Sequence, residues 1–520
     1  MRRLHTTTAT LILIGLSVFT QLQAEIKEVV LLHTNDIESV YDPLPAVWRD
    51  DIEWIGGIPH LATLIHQVRA NEATSFLLDA GDIFTGALSK KTQGKLPFDL
   101  YSAMGYDVLT LGNHEFEYGW ETLLEQLPRA SFPVLNANIV HRESGTRIAQ
   151  PYTILERDGI RIGVVGVMGL DAFHNTTAKF HRAELTILDP VATAQFWVDK
   201  IRDDVDVVVV LTHQNKTAPM QTNKEADPTV QRGFDEDYAM AGALTGVDVI
   251  FGGHSDNGLP QPVVHPDTGT VIGLTFGQGM HLGYTRFAVD TDLRSVEFLG
   301  GKLIPVDADE LPPDPRTSQL ITEARAAHPM LSEHAATLDA TAMRRYNRES
   351  TIGNLLTDVM RVAGDSDIAM LNSGAIRADL RAGTVTREHL INVYPFVDSL
   401  TVVELTGAQI REFVSYSLTL PYGIAQFSGL EIVYDGSREA NQRLIAVSHN
   451  GEPLNHSQRY SVATSAFVAN GGDGYGMFSD GTVVADELDM ATLFFDSFKA
   501  QREIALPALG RQVDVSDSEE

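Results

Sequence analysis

The chain has 520 residues, 43% of them hydrophobic and 21% charged, the profile of a globular protein rather than a disordered one. Its formal net charge of −30 repels nucleic acid and anionic lipid at long range, which makes a polyanionic polymer a poor substrate. No cysteine occurs, so disulfides and thiolate metal ligands are excluded and any metal must be held by Asp, Glu, His, Asn or Gln.

At the start, Arg2 and Arg3 precede an apolar stretch from Leu11 to Phe19, and "TQLQA" ends at Ala24. Residues 1–24 therefore read as a secretory signal peptide, cleaved before Glu25. The stretch is short for a bilayer span, and no later segment is long and apolar enough to cross one. The expected product is an exported monomer, periplasmic or extracellular, without a stable membrane anchor and without a nucleic-acid partner.

Apolar runs recur from there: "VVLL" before His33, "SFLLDA" before Gly81, "DVLTLG" before Asn113, "VDVVVVLT" before His213 and "VDVIFGG" before His254. Between them lie helical spacings such as Ile58, Leu61, Ile65 and Val68. The alternation predicts an α/β sandwich with buried central strands. Each run ends in a polar cluster: "HTNDIES", "GDIFTG", "GNHEFEYG", "THQNKT" and "GGHSDN". One isolated Asp or His after a strand is usually a turn or cap. Five in succession point to one site outside the carboxyl ends of the strands.

The pattern breaks near residue 305 at "PVDADELPPDPRTS", and a helical stretch, "SQLITEARAAHPML", follows. We expect a first domain over 25–312, a linker with a connecting helix over 313–338, a second domain over 339–513 and a frayed polar tail over 514–520. The second domain mixes helices ("IGNLLTDVMRVAG") with strands ("LEIVYDG", "LIAVSHN").

The five clusters, taken in order, resemble those of the calcineurin-like metallophosphoesterases, and specifically the secreted 5′-nucleotidase and UDP-sugar hydrolase family. "NRESTIGN", "LNSGAIRADLRAG", "YPFVDSL", "QFSG" and "FVANGGDGYGMF" are similar, in order, to that family's C-terminal domain. The resemblance implies a four-layer α/β/β/α metallophosphoesterase sandwich followed by an α+β nucleotide-binding domain. It implies an enzyme that hydrolyses nucleoside 5′-phosphates, with nucleotide-sugar or NAD pyrophosphates as further substrates.

It also implies two divalent ions, Mn, Mg or Zn, bridged by Asp82. One would take Asp82, Asn113, His213 and His254. The other would take Asp36, Asp82 and the positions of Glu38 and Asp256, where the family pattern has a His and an amide. If both carboxylates coordinate, that set is all oxygen and favours Mn²⁺ or Mg²⁺ over Zn²⁺. The other reading is a degenerate site in which Glu38 caps a helix. His114 is implied as the transition-state residue, oriented by Glu117 in place of the family's Asp. Arg348 and Arg377 would grip phosphate, Phe396 and Phe467 would sandwich the base, and Asn372, Gly429 and Asp473 would contact base and ribose. Val397 and Asp398 depart from the Gly-Asn often found there. His60, His66, His174, His181, His265, His281 and His389 match no ligand position and read as surface or packing residues. Two alternatives stay open: a thiosulfohydrolase-like relative, and a nucleotide-binding protein with a failed metal site.

Overall fold

The computed structural model describes residues 26–46, 49–215, 233–420 and 423–516, without the side chains of 485–487. The expected signal peptide lies outside the described residues. Among those described, no helix is long and apolar enough to cross a membrane.

The first domain is built on two six-stranded sheets. In one, the strands Ile26–Thr34, Ser75–Asp79, Val108–Thr110 and Val134–Leu135 run parallel, with His281–Asp290 and Ser295–Pro305 added antiparallel at the edge. In the other, Ile160–Met168, Val207–His213, Val249–Gly253 and Val271–Gly273 run parallel. The apolar runs are continuous because both faces of each strand are covered. Val29, Leu31, Val207, Val209 and Leu211 meet between the sheets. Their neighbours Val30 and Leu32 pack outward on the helices Ile58–Asn71 and Lys95–Met104. Val208 and Val210 face Pro190–Ile201 and Asp235–Ala243 on the opposite side. Two sheets between two helical layers make the expected four-layer sandwich.

The connecting helix forms at Pro315–Ala327, capped by Asp314, whose side chain accepts from the Thr317 amide at 2.8 Å. It is not a free spacer: Ile321 and Leu331 are buried in the core of the first domain. The strand His334–Leu338 that follows pairs with Gly383–Thr386 and Glu503–Ile504, so we take the second domain to begin there, a few residues before the expected 339. That domain holds a five-stranded sheet in the order 426–428, 368–371, 459–465, 399–406, 482–489, with the helix Thr351–Ala363 packed on it. The tail differs from expectation over its described part. Gln512–Asp514 pairs in parallel with Glu431–Tyr434, and Asp514 accepts from the Gly436 amide at 2.9 Å. Past the strand, the Val515 amide donates to the Tyr434 carbonyl at 2.9 Å and the Ser516 amide to Asp514 at 3.0 Å, so the residues through 516 are held rather than frayed.

Candidate active site

The polar clusters, "THQNKT" as far as its described residues to Asn215, leave their strands at one end of the sandwich and converge on a cleft whose far wall is the second domain. Asp36, Glu38, Asp82, Asn113, His114, Glu117, His254 and Asp256 line it, and His213 lies fully buried behind them. Two glycines permit the convergence: a Cβ on Gly112 would collide with the Asp82 carboxylate, and one on Gly81 would sit 2.6 Å from the Gly112 nitrogen. Asp36, Glu38, Asp82, His254 and Asp256 all hold left-handed backbone, with φ of 52°, 50°, 62°, 81° and 55°. Such conformations are costly for residues with a Cβ, and they gather where a fold over-determines its geometry for function.

The ligand atoms of Asp82, His213 and His254 lie within 4.8 Å of one another. His213 Nδ1 is 2.8 Å from the Ala80 carbonyl, which can only accept, so this nitrogen carries the proton. Nε2 is thereby turned to Asp82 Oδ2 at 3.0 Å and Asn113 Oδ1 at 3.0 Å. Three donors from three strand ends, with the tautomer fixed from behind, fit a divalent cation. Of the residues expected at a second ion, Asp36 and Asp256 also line the cleft. Asp36 receives the His254 amide on both oxygens, at 2.9 and 3.0 Å, and Asp256 Oδ1 is buried without a hydrogen-bond partner among the described residues. Burial, then Asp36 and Asp82, push the Asp256 carboxyl well above its usual range. Burial and the charge of His213 hold His254 down at about 3.

Glu38 takes a different partner from the one expected of a ligand. It forms an ion pair with Arg377 of the second domain and lies 3.4 Å from His114 Nε2, outside the Asp82–His213–His254 cluster. The left-handed turn at 38 aims its longer side chain across the cleft, where the guanidinium is the available cation. His114 and Glu117 are joined as expected, with Nδ1 and Oε1 2.5 Å apart. Burial opposes the imidazolium, but Asp82 and Glu117 outweigh it and raise the His114 pKa to about 10.

Sequence reasoning assigned nothing to Glu115, yet it is fully buried and accepts four backbone amides. Oε1 takes Ile83 at 2.7 Å and Phe84 at 3.2 Å; Oε2 takes Asp82 at 3.1 Å and Gly112 at 2.6 Å. It fixes the loop that carries Asp82 to the loop that carries Asn113. Asp237 does the same behind His213, accepting from Thr212 at 2.6 Å, Gln214 at 2.8 Å and Asn215 at 2.5 Å.

The second domain contributes Asn372, Arg377, Phe396, Phe467 and Asp473 to the cleft. Arg377 Nη2 reaches His114 Nε2 at 3.3 Å, while Asn372 Nδ2 donates to Asp473 at 2.6 Å. Phe396 stacks beside His114, ring centres 6.1 Å apart. Asp398, the departure from the family pattern, ties the two aromatic segments together. It accepts from the Tyr394 hydroxyl at 2.9 Å and the Phe467 amide at 3.2 Å.

Two expected contacts are not brought to the cleft. Arg348 is exposed and does not line it; Arg344 lies behind it instead, donating to the Arg377 carbonyl at 2.5 Å. Gly429 is also outside, its φ of 81° serving a turn that presses against the Asp367 carbonyl. Conversely, His181, read as a surface or packing residue, lines the cleft together with Asp171 and Phe180. Further contacts close the domains on each other: the Ala87 amide donates to Asn392 at 2.8 Å, Lys90 Nζ to the Phe396 carbonyl at 2.7 Å, and Lys179 Nζ to the Asn470 carbonyl at 2.6 Å.

A four-layer sandwich with this ligand cluster at its strand ends defines a phosphoric-ester hydrolase of the calcineurin-like class, one that works with divalent metal ions. The calcineurin-like phosphoesterase profile matches residues 29–256 and the profile of the 5′-nucleotidase C-terminal domain matches residues 330–480. The chain belongs to the 5′-nucleotidase family. It is 27% identical to the 5′-nucleotidase of Bos taurus, over 94% of this chain and 91% of the relative. The 5′-nucleotidase precursor of Thermus thermophilus superimposes with a TM-score of 0.80 at 25% identity, covering 94% of this chain and 99% of its own. A sulfate thiohydrolase of Thermus thermophilus shares the fold at a TM-score of 0.75 and 18% identity, over 94% and 96% of the two chains.

Proposed function

We propose that the protein is an exported, two-metal 5′-nucleotidase, releasing phosphate from nucleoside 5′-phosphates. The observation that carries this reading is the composition of this cleft. Its first-domain wall is a metal-ligand cluster with a His–Glu pair, and its second-domain wall is an arginine flanked by two aromatics tied together through Asp398. Asp82, Asn113, His213 and His254 would hold one ion, and Asp36, Asp82 and Asp256, with Glu38 once it leaves Arg377, the other. A metal pair supplies Lewis-acid polarisation of the phosphoryl oxygens and activation of water for in-line attack.

The chain's own residues do the rest. Arg377 grips the phosphoryl oxygens, its planar fork suited to paired charge-assisted bonds. His114 presents Nε2 to the charge that develops on them, held in orientation by Glu117 at Nδ1. Phe396 and Phe467 take the base between their faces, and Asn372 and Asp473 meet the ribose.

The Glu38–Arg377 pair favours a second reading, in which the Asp82–His213–His254 site alone binds metal and Glu38 positions the arginine. One experiment separates the alternatives. The chelator-stripped enzyme is reloaded with Mn²⁺, Mg²⁺, Co²⁺ or Zn²⁺, its bound metal is counted, and each form is assayed on AMP, UDP-glucose, NAD, p-nitrophenyl phosphate and an S-sulfocysteine peptide. We expect two ions per chain and AMP hydrolysis. One ion per chain selects the second reading. Turnover of the sulfonate with none of AMP overturns the nucleotidase reading, as does AMP binding with no activity under any metal.

A further inference from the structure

The half of the cleft remote from the metal ligands has its own charge pattern. Among the described residues lining the cleft, Arg377 is the one Lys or Arg side chain, and it sits at the phosphate end. Apart from the metal-side acids, three carboxylates line the cleft: Asp398 and Asp473 from the second domain, Asp473 within reach of the Arg377 charge, and Asp171 from the first. Asp398 is committed to Tyr394 and the Phe467 amide.

Asp171 follows the strand Ile160–Met168, and Asn175 Nδ2 donates to its Oδ1 at 2.6 Å, fixing the carboxylate at the wall. Burial raises the Asp473 carboxyl's pKa to about 6; the Asn372 hydrogen bond and the Arg377 charge pull it down, and Asp171 stands close enough to add to the rise. A buried acceptor completes the set. Asn372 gives its Nδ2 to Asp473, which leaves Oδ1 without a hydrogen-bond partner among the described residues. The basic residues of the same segment are directed elsewhere. Lys179 donates to the Asn470 carbonyl, and Arg182 to the carbonyls of Thr177 and His174 at 3.0 and 2.9 Å. His181 lines the cleft, but burial pushes its pKa down to about 4, so it brings no positive charge near neutral pH.

We propose that Asp171 is a specificity determinant supplied by the first domain: it admits nucleosides that offer only hydrogen-bond donors at this end and rejects those carrying a second phosphate on the ribose. The inference rests on the nucleotidase reading. A ribose hydroxyl or base N–H meets acceptors on Asn372, Asp473 and Asp171, whereas a second phosphate meets the Asp171 and Asp473 carboxylates, with Arg377, the one lining Lys or Arg, already taken by the 5′-phosphate. Such rejection by repulsion is how a site discriminates between ligands that share most of their contacts.

The test compares kcat/KM for AMP and for adenosine 3′,5′-bisphosphate, scoring release of the 5′-phosphate. The wild type should prefer AMP by about 100-fold at low salt, and Asp171→Asn should cut that ratio about tenfold, the scale of a charge contact at intermediate dielectric. Asp171→Glu should keep most of the preference. A merely structural role would lower both substrates together and leave the ratio unmoved. In the wild type, raising the salt tenfold should narrow the ratio, because exposed charge contacts are screened. A ratio unchanged in both Asp171→Asn and Asp171→Ser, or equal turnover of the two substrates by the wild type, overturns the inference and leaves the nucleotidase reading intact. Cleavage of p-nitrophenyl phosphate with neither nucleotide touched overturns both.

Discussion

Glu115→Gln is the substitution that most directly tests how the Asp82 loop is held. The carboxylate shares four amides between its two oxygens, two on each, at 2.6–3.2 Å. Glutamine has the same shape but only one oxygen. Whichever pair it keeps, its NH₂ faces the other two N–H groups, which are then buried without an acceptor. Each such group costs about 1–3 kcal/mol, so the first domain should lose roughly 3 kcal/mol after local relaxation. The functional loss should exceed that, since Asp82 is the residue expected to bridge both metals. A displacement near 1 Å at a reacting centre costs on the order of 100-fold in rate. Urea titrations, which read the change through the midpoint at constant slope, should be run beside metal content and kcat/KM on p-nitrophenyl phosphate. If Glu115→Gln unfolds at the wild-type urea concentration and keeps its metal and activity, the amides have other partners and Glu115 does not position the loop.

Three further outcomes follow from the cleft. Arg377→Ala should lower kcat/KM about 10–100-fold on both AMP and p-nitrophenyl phosphate, because the guanidinium stands at the phosphate end beside His114. Phe396→Ala should cost about tenfold on AMP alone, the value of one stacked base; equal losses on both substrates would place Phe396 outside base binding. The double change Glu38→His with Asp256→Gln should move the preferred metal from Mn²⁺ or Mg²⁺ toward Zn²⁺ or Co²⁺, and an unchanged activity ranking would show that neither carboxylate is a ligand. Burial pushes the Asp237 carboxyl up to about 6 despite three hydrogen bonds that pull it down. With the folded pKa above the unfolded one, its stabilising contribution is full below about pH 4 and is lost as pH rises through 6. The stability of the wild type relative to Asp237→Asn should therefore improve by roughly 2 kcal/mol between pH 7 and pH 4 in denaturant titrations; curves that run parallel with pH would refute the assignment.

The sandwich was legible because strands buried on both faces are written as unbroken runs of Val, Leu and Ile, and a run that stops at a polar cluster marks its own carboxyl end. The same feature made Asp36, Asp82, Asn113, His213 and His254 readable. The strand Ile160–Met168 obeys the same rule, and "GLDAFHN" after it delivers Asp171, but it carries none of the family's ligand signature and so attracted no assignment. Glu115 was hidden because its partners are backbone amides that no side-chain pattern announces. Arg344 and Arg348 lie in a segment with no regular period, where a resemblance aligns positions without saying which way each side chain turns. The docking of Ile321 into the first domain and the pairing of Glu38 with Arg377 are long-range outcomes of how the domains meet.

The left-handed turns at Asp36, Asp82, His254 and Asp256 set two kinds of fitness against each other. Glycine adopts that backbone freely, so at each position it should relieve about 1 kcal/mol of strain while deleting a side chain of the cluster. A directed-evolution experiment that scored only survival of heating would thus be rewarded for dismantling the site one residue at a time. Its winners would be sturdier scaffolds with an empty, inert mouth, since at these angles ease of backbone and possession of a ligand exclude each other.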